Sequence, residues 1–381
     1  MTWQSRVLCD EDGIATLRFA TFAMTSSVMK RKVGIILVGY KDYVNRFLIE
    51  CRDSLRIQNY PKDSYQIYIV DNCSINNCEY IKKHYPEAKT ATRSDGNYSA
   101  ANNLGLKMAM EDNCDYFIIA NMDTKFDQNW IIELVRAMES DPKIGIAQSK
   151  ILLYPKTEKE QKLAKINSLG NIMHFLGFGF TNDYNEPDRE IRGLPEIIGY
   201  ASGCSYITKR EVIEKIGYYD EEYYMYHDDV EMNWKVKLAG YKIILAPKSI
   251  VYHKYEFSRS VLMIYYMERN RHLAMLHYYK LPTLILVMPA VLGMDLGMFF
   301  YSIAGGWTKK YFQVIKYFLL PKTWACIILK RRKIRKIKDK DIIKNFEGRV
   351  LFQEIENPVL KYIANPIFNL YWQIVKRIII W

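Results

Sequence analysis

The run Tyr116-Phe117-Ile118-Ile119-Ala120 ends abruptly in Asn121-Met122-Asp123. A short stretch with no polar face has to be buried on both sides, as in a parallel sheet covered by helices. Val33–Gly39, Tyr65–Val70 and Ile144–Leu152 are runs of the same kind. Between them Phe47, Leu48, Cys51 and Leu55 recur at helical spacing within Tyr43–Gln58, and helices are expected over Asn76–Lys83, Ser99–Met110 and Asn129–Ser140. Strand–helix alternation with short loops restricts the fold to α/β, a mostly parallel doubly wound sheet with right-handed crossovers. Ligands of such sheets bind beyond the carboxyl ends of the strands, where Asp123 falls. Taken alone, a strand-end Asp more often caps the turn or helix that follows.

Residues 155–195 are polar and Gly-rich with weak periodicity, and read as a long irregular loop over one face of the sheet, a length that usually carries function. From Gly199 the pattern returns: a strand over Ser205–Thr208, a helix over Lys209–Ile216, and a helix over Asp228–Leu238. The last opens with acids, which suits the helix dipole, and closes at Gly240. Tyr241–Ala246 and Ile250–His253 complete the strands.

Charge divides the 381-residue chain unequally. Residues 305–381 hold 17 Lys/Arg against 5 Asp/Glu, a balance of +12 that equals the charge of the whole chain. Residues 1–304 are therefore formally neutral. The basic segment is interleaved with apolar and aromatic stretches, Tyr311–Leu320, Trp324–Leu329 and Ile363–Trp381, and holds the run Lys330–Lys336. That combination favours an anionic membrane surface over nucleic acid, which is not expected as a partner. Leu281–Ala304 approaches the roughly 20 apolar residues of a membrane span. Pro282, Pro289 and Asp295 argue instead for a helix pair dipping into one leaflet, with a span near 283–304 left open. The expected division is an N-terminal extension over 1–31, disordered or preceding a true start at Met24 or Met29, a catalytic domain over 32–275, and a membrane-association region over 276–381. The first 29 residues lack an apolar core long enough for a signal peptide. Seven scattered Cys suggest a reducing compartment.

Three acidic or imidazole sites recur at expected strand or helix ends: Asp71, Asn121-Met122-Asp123, and Asp228-Asp229-Val230-Glu231 with His253. Sugar transfer from a nucleotide diphosphate needs three things of such groups. A divalent cation, Mg²⁺ or Mn²⁺, must stabilise the departing diphosphate, and it takes only one or two carboxylates besides phosphate oxygens. A carboxylate must accept the proton of the acceptor hydroxyl, and another acceptor must read the base.

The order and spacing of several short pieces over residues 33–275 resemble the inverting family-2 glycosyltransferases of GT-A fold, particularly the rhamnosyltransferase-like branch. These are Val33–Tyr40, Gln58-Asn59-Tyr60-Pro61, Ile69–Ser74, Ala100–Gly105, Ala120–Thr124, Ser202-Gly203-Cys204, Ile216–Glu221, Tyr226–Glu231, Ala239-Gly240-Tyr241 and Pro247–His253. The resemblance implies that Asp71 reads a uracil or thymine ring. It places Asn121 and Asp123 at the Asp-x-Asp position, with Asp123 and His253 holding the metal. Asp229 becomes the general base, flanked by Asp228. Gly39, Tyr40, Asn72, Asn103, Ser202 and Gly203 are further donor-binding candidates. The implied partners are a nucleotide-sugar donor, dTDP-rhamnose or alternatively UDP-galactofuranose or a UDP-N-acetylhexosamine, and a polyprenyl-linked or polysaccharide acceptor at the cytoplasmic face of the membrane. A non-catalytic scaffold of a polysaccharide assembly complex is the rival reading. Asp95-Gly96-Asn97-Tyr98 departs from the family's usual Asn-x-Gly-aromatic, and Asn97 is expected to supply the positive φ of that glycine. Cys73, Asn76 and Asp228 stand where Gly, Asp and Glu are usual.

Overall fold

The computed structural model describes residues 31–72, 77–158, 160, 163–256, 264–331, 337–351 and 358–381. The expectations for the extension up to residue 30, for Cys73 and Asn76, and for the basic run 332–336 lie outside these residues. The first part alternates as expected: β1 (Val33–Tyr40), α1 (Tyr43–Arg56), β2 (Tyr65–Asn72), α2 (Asn77–His84), β3 (Lys89–Arg93), α3 (Tyr98–Glu111), β4 (Tyr116–Asn121), β5 (Thr124–Phe126), α4 (Trp130–Glu139) and β6 (Ile144–Leu153). Then come β7 (Ile166–Ser168), β8 (Asn171–Met173), β9 (Gly179–Thr181), β10 (Ser205–Lys209), α5 (Arg210–Ile216), α6 (Asp228–Leu238) and β11 (Lys242–His253).

The main sheet runs β3-β2-β1-β4-β10-β6-β11-β5, with β7 pairing beside β6. β1 is parallel to β2 and β4, β2 to β3, and β6 to β11. β10 enters antiparallel between β4 and β6. The architecture is mixed α/β, mostly parallel, as the apolar runs require. Two strands on the main path of the sheet escaped the pattern. β3 is an edge strand of partly or fully exposed residues, so it has no apolar run, and β5 has three residues. Residues 155–195, expected to be irregular, contain β7 and the β8–β9 hairpin.

Helices cover both faces. Leu48 of α1 and Trp130 of α4 pack on Ile118 from one side, and Leu106, Val212 and Met232 pack on Phe117 from the other. Beyond β11 come α7 (Ile264–Tyr278), α8 (Leu281–Ala304), α9 (Thr308–Leu319), α10 (Pro321–Arg331), α11 (Asp339–Ile343) and α12 (Asn365–Ile378). α8 is one helix where a pair was expected. Pro282 sits in its first turn, where no N–H is needed, and the helix continues through Pro289. Asp295 in its middle accepts from Arg271 Nη2 at 2.5 Å and lies 3.1 Å from His272 Nε2. Burial would raise this acid, but His272 and Arg271 outweigh it and bring the pKa to about 2.

The C-terminal helices share a core with the segment before β10. Met173, Phe175 and Phe178 pack in one cluster with Trp234 of α6, Leu273 of α7, Val287 of α8 and Trp372 of α12. Trp372 stacks on Phe175 with centroids 4.8 Å apart and donates to the Phe346 carbonyl at 2.7 Å. Trp372→Ala is expected to lower stability by about 3–5 kcal/mol. Because this core joins both parts, urea denaturation followed by circular dichroism should show one transition at a lower midpoint. Two separated transitions would mean that the parts unfold independently.

Candidate functional site

Strand register assembles the site. In the parallel ladder Gly39 lies beside Asp71, Tyr40 beside Asn72, and Val38 beside Asn121. The antiparallel β10 begins at Ser205 beside Ala120, which delivers Ser202, Gly203 and Cys204 to the same edge. His253, the last residue of β11, pairs with Thr124. These ends surround a cavity of about 630 Å³ lined by Tyr40, Asn72, Asn121, Asp123, Ser202, Gly203, Asp228, Asp229 and His253 among others.

Asp123 is buried, and its Oδ1 has no hydrogen-bond donor among the described residues. His253 Nε2 faces that atom at 3.4 Å, an ion-pair separation too long for a strong hydrogen bond. The other ring nitrogen, Nδ1, lies 2.8 Å from Asn167 Oδ1, which holds the ring's orientation. Burial would lower the His253 pKa, but Cys204 and Asp123 outweigh it and hold it well above the ordinary value. Asn121 Oδ1 accepts from the Tyr98 hydroxyl at 3.0 Å, so its side chain is already engaged. Asn72 Oδ1 is a second buried oxygen at this edge without a donor among the described residues.

Across the cavity, α6 begins with Asp228 and Asp229. Asp229 Oδ2 accepts from Gly203 N–H at 3.2 Å and Oδ1 from Val230 N–H at 2.8 Å. Burial raises its pKa to about 6, with those two donors restraining the shift. Asp228 is pushed well above the carboxylate range by burial and then by the Asp229 charge. Glu231, one turn on, is instead tied to Lys235 at 2.9 Å and to the Tyr278 hydroxyl at 2.7 Å.

The turn feeding α6 is unusual. Tyr224, Tyr226 and His227 all have positive φ, near +60°, where residues other than Gly are uncommon. Asn270 on α7 supplies what holds them: its amide nitrogen lies 2.7, 2.9 and 2.7 Å from the carbonyls of Tyr223, Met225 and Tyr226. Arg269 donates to Asn270 Oδ1 at 2.9 Å and to the Tyr223 carbonyl at 3.1 Å. His227 Nε2 lies 3.0 Å from the Gly177 carbonyl, and burial lowers its pKa to about 4, so the neutral ring donates there.

Three candidates stand outside the cavity lining. Asp71 is buried behind Asn72 and accepts from Asn77 Nδ2 at 3.3 Å. Gly39 packs beneath Tyr40, and a Cβ there would come within 2.6 Å of Val44. Asn103 clamps the backbone of Tyr219, accepting from its N–H at 2.9 Å and donating to its carbonyl at 3.0 Å. The positive φ expected at Asn97 belongs to Gly96, at +72°. Asn97 is the N-cap of α3, its side chain accepting from Ala100 N–H at 3.0 Å. The clamp residues Arg269 and Asn270 went unread, because buried polar residues within a helix leave no local pattern. The same holds for Asn167.

Residues 35–217 match the family model described as Glycosyl transferase family 2. An N-acetylglucosaminyl-diphospho-decaprenol L-rhamnosyltransferase of Mycobacterium tuberculosis is 26% identical over 147 residues, 36% of this chain and 47% of the relative. The chain thus spans about half the length of the relatives it matches. Similar solved structures include GalNAc-T7 with UDP, GalNAc and Mn²⁺, 16% identical over 64% of this chain and 48% of that one, with a TM-score of 0.48. Residues 1–349 of S. aureus TarS with UDP are 14% identical over 91% of this chain and 90% of that one, with a TM-score of 0.47. Residues 35–217, a little under half of the chain, thus carry the match to glycosyl transferase family 2.

Proposed function

We propose that this chain is a metal-dependent inverting glycosyltransferase that moves a sugar, rhamnose from dTDP-rhamnose being the first candidate, onto a hydroxyl of a lipid-linked glycan at the cytoplasmic face of the membrane. The observation that carries the reading is one cavity with a half-buried carboxylate tuned to about 6, Asp229, opposite a carboxylate oxygen on Asp123 that has no donor among the described residues. The name of the mycobacterial relative supports the sugar and the acceptor.

In this reading Asp229 accepts the proton of the acceptor hydroxyl as that oxygen attacks the anomeric carbon and the nucleotide diphosphate leaves from the opposite face. A pKa near 6 leaves Asp229 ionised at neutral pH yet more basic than an exposed carboxylate. Gly203 and Val230 N–H groups hold its two oxygens in place. Asp123 and His253 fit a divalent cation, since a buried oxygen without a donor faces an imidazole nitrogen. Such a cation, when bound, neutralises charge on the departing diphosphate. With Asn121 committed to Tyr98, the site offers one free carboxylate, which suits an ion that needs the donor's phosphates to complete its shell.

Asp229→Asn is expected to lower kcat at least about 10³-fold in a transfer assay, with retained folding. In the wild type, activity should fall as pH drops through about 6, because the base must be unprotonated and its folded pKa is raised. The acid limb belongs to the Asp228–Asp229 pair as a unit. An undiminished Asp229→Asn enzyme would remove the base assignment. A chelator should abolish transfer and Mn²⁺ restore it, while calorimetry without nucleotide should detect only weak Mn²⁺ binding. Tight binding to the protein alone would contradict the one-carboxylate site. Asn270→Ala frees three carbonyls of the turn, so kcat should drop about 10–100-fold with far-UV circular dichroism unchanged.

A further inference from the structure

The C-terminal helices leave an apolar surface that the described residues do not cover. Along α8, Leu281, Ile285, Met288, Leu292, Leu296 and Phe300 recur every three or four residues and are 41–64% exposed. The opposite side of that helix, Thr283, Val287, Ala290, Val291 and Met294, is buried against the protein. α12 has the same construction, with Ile367, Leu370, Ile374 and Ile378 exposed and Trp372 and Val375 buried. Leu319, Trp324 and Ile328 extend the exposed surface over α9 and α10. Stripes of this size on a folded protein mark an interaction surface.

We propose that α8, α9, α10 and α12 form one docking face that lies in the plane of an anionic bilayer, with α8 resting in the leaflet without crossing it. α8 is long and apolar enough to span, with 24 residues and a mean hydropathy of 1.9 in its most apolar window. Its attachments oppose that. Thr283 Oγ1 donates to Asp339 at 2.7 Å near its start, and the Tyr371 hydroxyl donates to the Leu286 carbonyl at 2.5 Å. Asp295 bonds Arg271, which is wholly buried and also paired with Glu268. Pulling α8 into hydrocarbon would strip that acid from its partners and open the core beneath. α9 and α10 have 12 and 11 residues and meet at a 67° bend, so neither is long enough to span.

Charge selects the occupant. Across 281–331 and 358–381 the sole acid is Asp295, and it is spent on Arg271 and His272. Lys309, Lys310, Lys316, Lys322, Lys361 and Arg377 are exposed around the stripes. Apolar stripes bordered by cations and Trp or Tyr suit anionic headgroups over acyl chains. A second copy of this chain would bring the same positive rim against itself. The proposal rests on the transferase reading only for what the bilayer presents to the cavity.

The full chain should float with vesicles of phosphatidylcholine and phosphatidylglycerol, bind phosphatidylcholine alone more weakly, and be released by alkaline carbonate without detergent. The triple substitution Leu292→Glu, Leu296→Glu, Phe300→Glu should weaken binding at least about tenfold with unchanged thermal unfolding. Should that variant fold poorly, Ile367→Glu with Leu370→Glu on α12 carries the same expectation. Resistance to carbonate would mean that a helix spans, and unchanged binding of both variants would remove this face. Absence of vesicle binding, with a wild-type dimer that the triple variant breaks, would assign the face to self-association. No donor or acceptor enters these measurements, so they stand apart from the assay of transfer.

Discussion

Two adjacent carboxylates at the start of one helix, Asp228 buried and Asp229 half-buried, are the constraint from which the rest of the site follows. Burial raises the pKa of both Asp228 and Asp229, and the Asp229 charge raises Asp228 further. Three features limit the cost: the positive end of the α6 dipole, the N–H groups of Gly203 and Val230, and a cavity that keeps one side of the pair open. The arrangement survives only if the backbone entering α6 cannot relax. Tyr224, Tyr226 and His227 sit in a region of φ that costs of order 1 kcal/mol or more each, so something outside the turn has to hold them.

That holding comes from α7, which makes the C-terminal helices part of the site. Asn270 and Arg269 bond the turn, and one residue further Arg271 bonds Asp295 of α8. Lys330 of α10 reaches Asp220 at 2.7 Å, and the Tyr317 hydroxyl of α9 reaches Glu222 at 2.7 Å. The family match ends at residue 217, before any of these groups. Residues that set the geometry of Asp229 thus lie beyond the matched segment, and any description of the site confined to that segment would omit them.

How much of this was legible in the sequence depended on whether a residue's partner was local. β1, β2, β4 and β6 were readable because burial on both faces writes an unbroken apolar run, and the register of those strands then brings their ends together. The start of α6 was readable because three acids in one turn fit a helix N-terminus. The edge strand β3 was not, since exposed residues carry no apolar pattern. Residues 173–180 looked like loop because what buries Phe175 is Trp372, almost 200 positions away. Asn103 matched a motif, yet its amide is occupied by Tyr219, a use that only the tertiary structure discloses. Asp295 was read as an obstacle to a membrane helix. In the structure it is paired with Arg271 and His272, partners that no hydropathy pattern contains.

The same helix also connects chemistry to surface. Met267 of α7 lines the cavity, and Arg271, four residues or about 6 Å along the axis, anchors the helix whose outer stripe is exposed. An acceptor with a polyprenyl tail needs its headgroup in the cavity while the tail remains in lipid. If α8 crossed the bilayer, its bond to Arg271, the residue next to the Asn270 that holds the turn before Asp229, would break. If α8 lies along the surface, the bonds that hold the turn before Asp229 and those that fix the proposed docking face are made by consecutive residues, Asn270 and Arg271. Position on the membrane and position of Asp229 are then set together, within one turn of one helix.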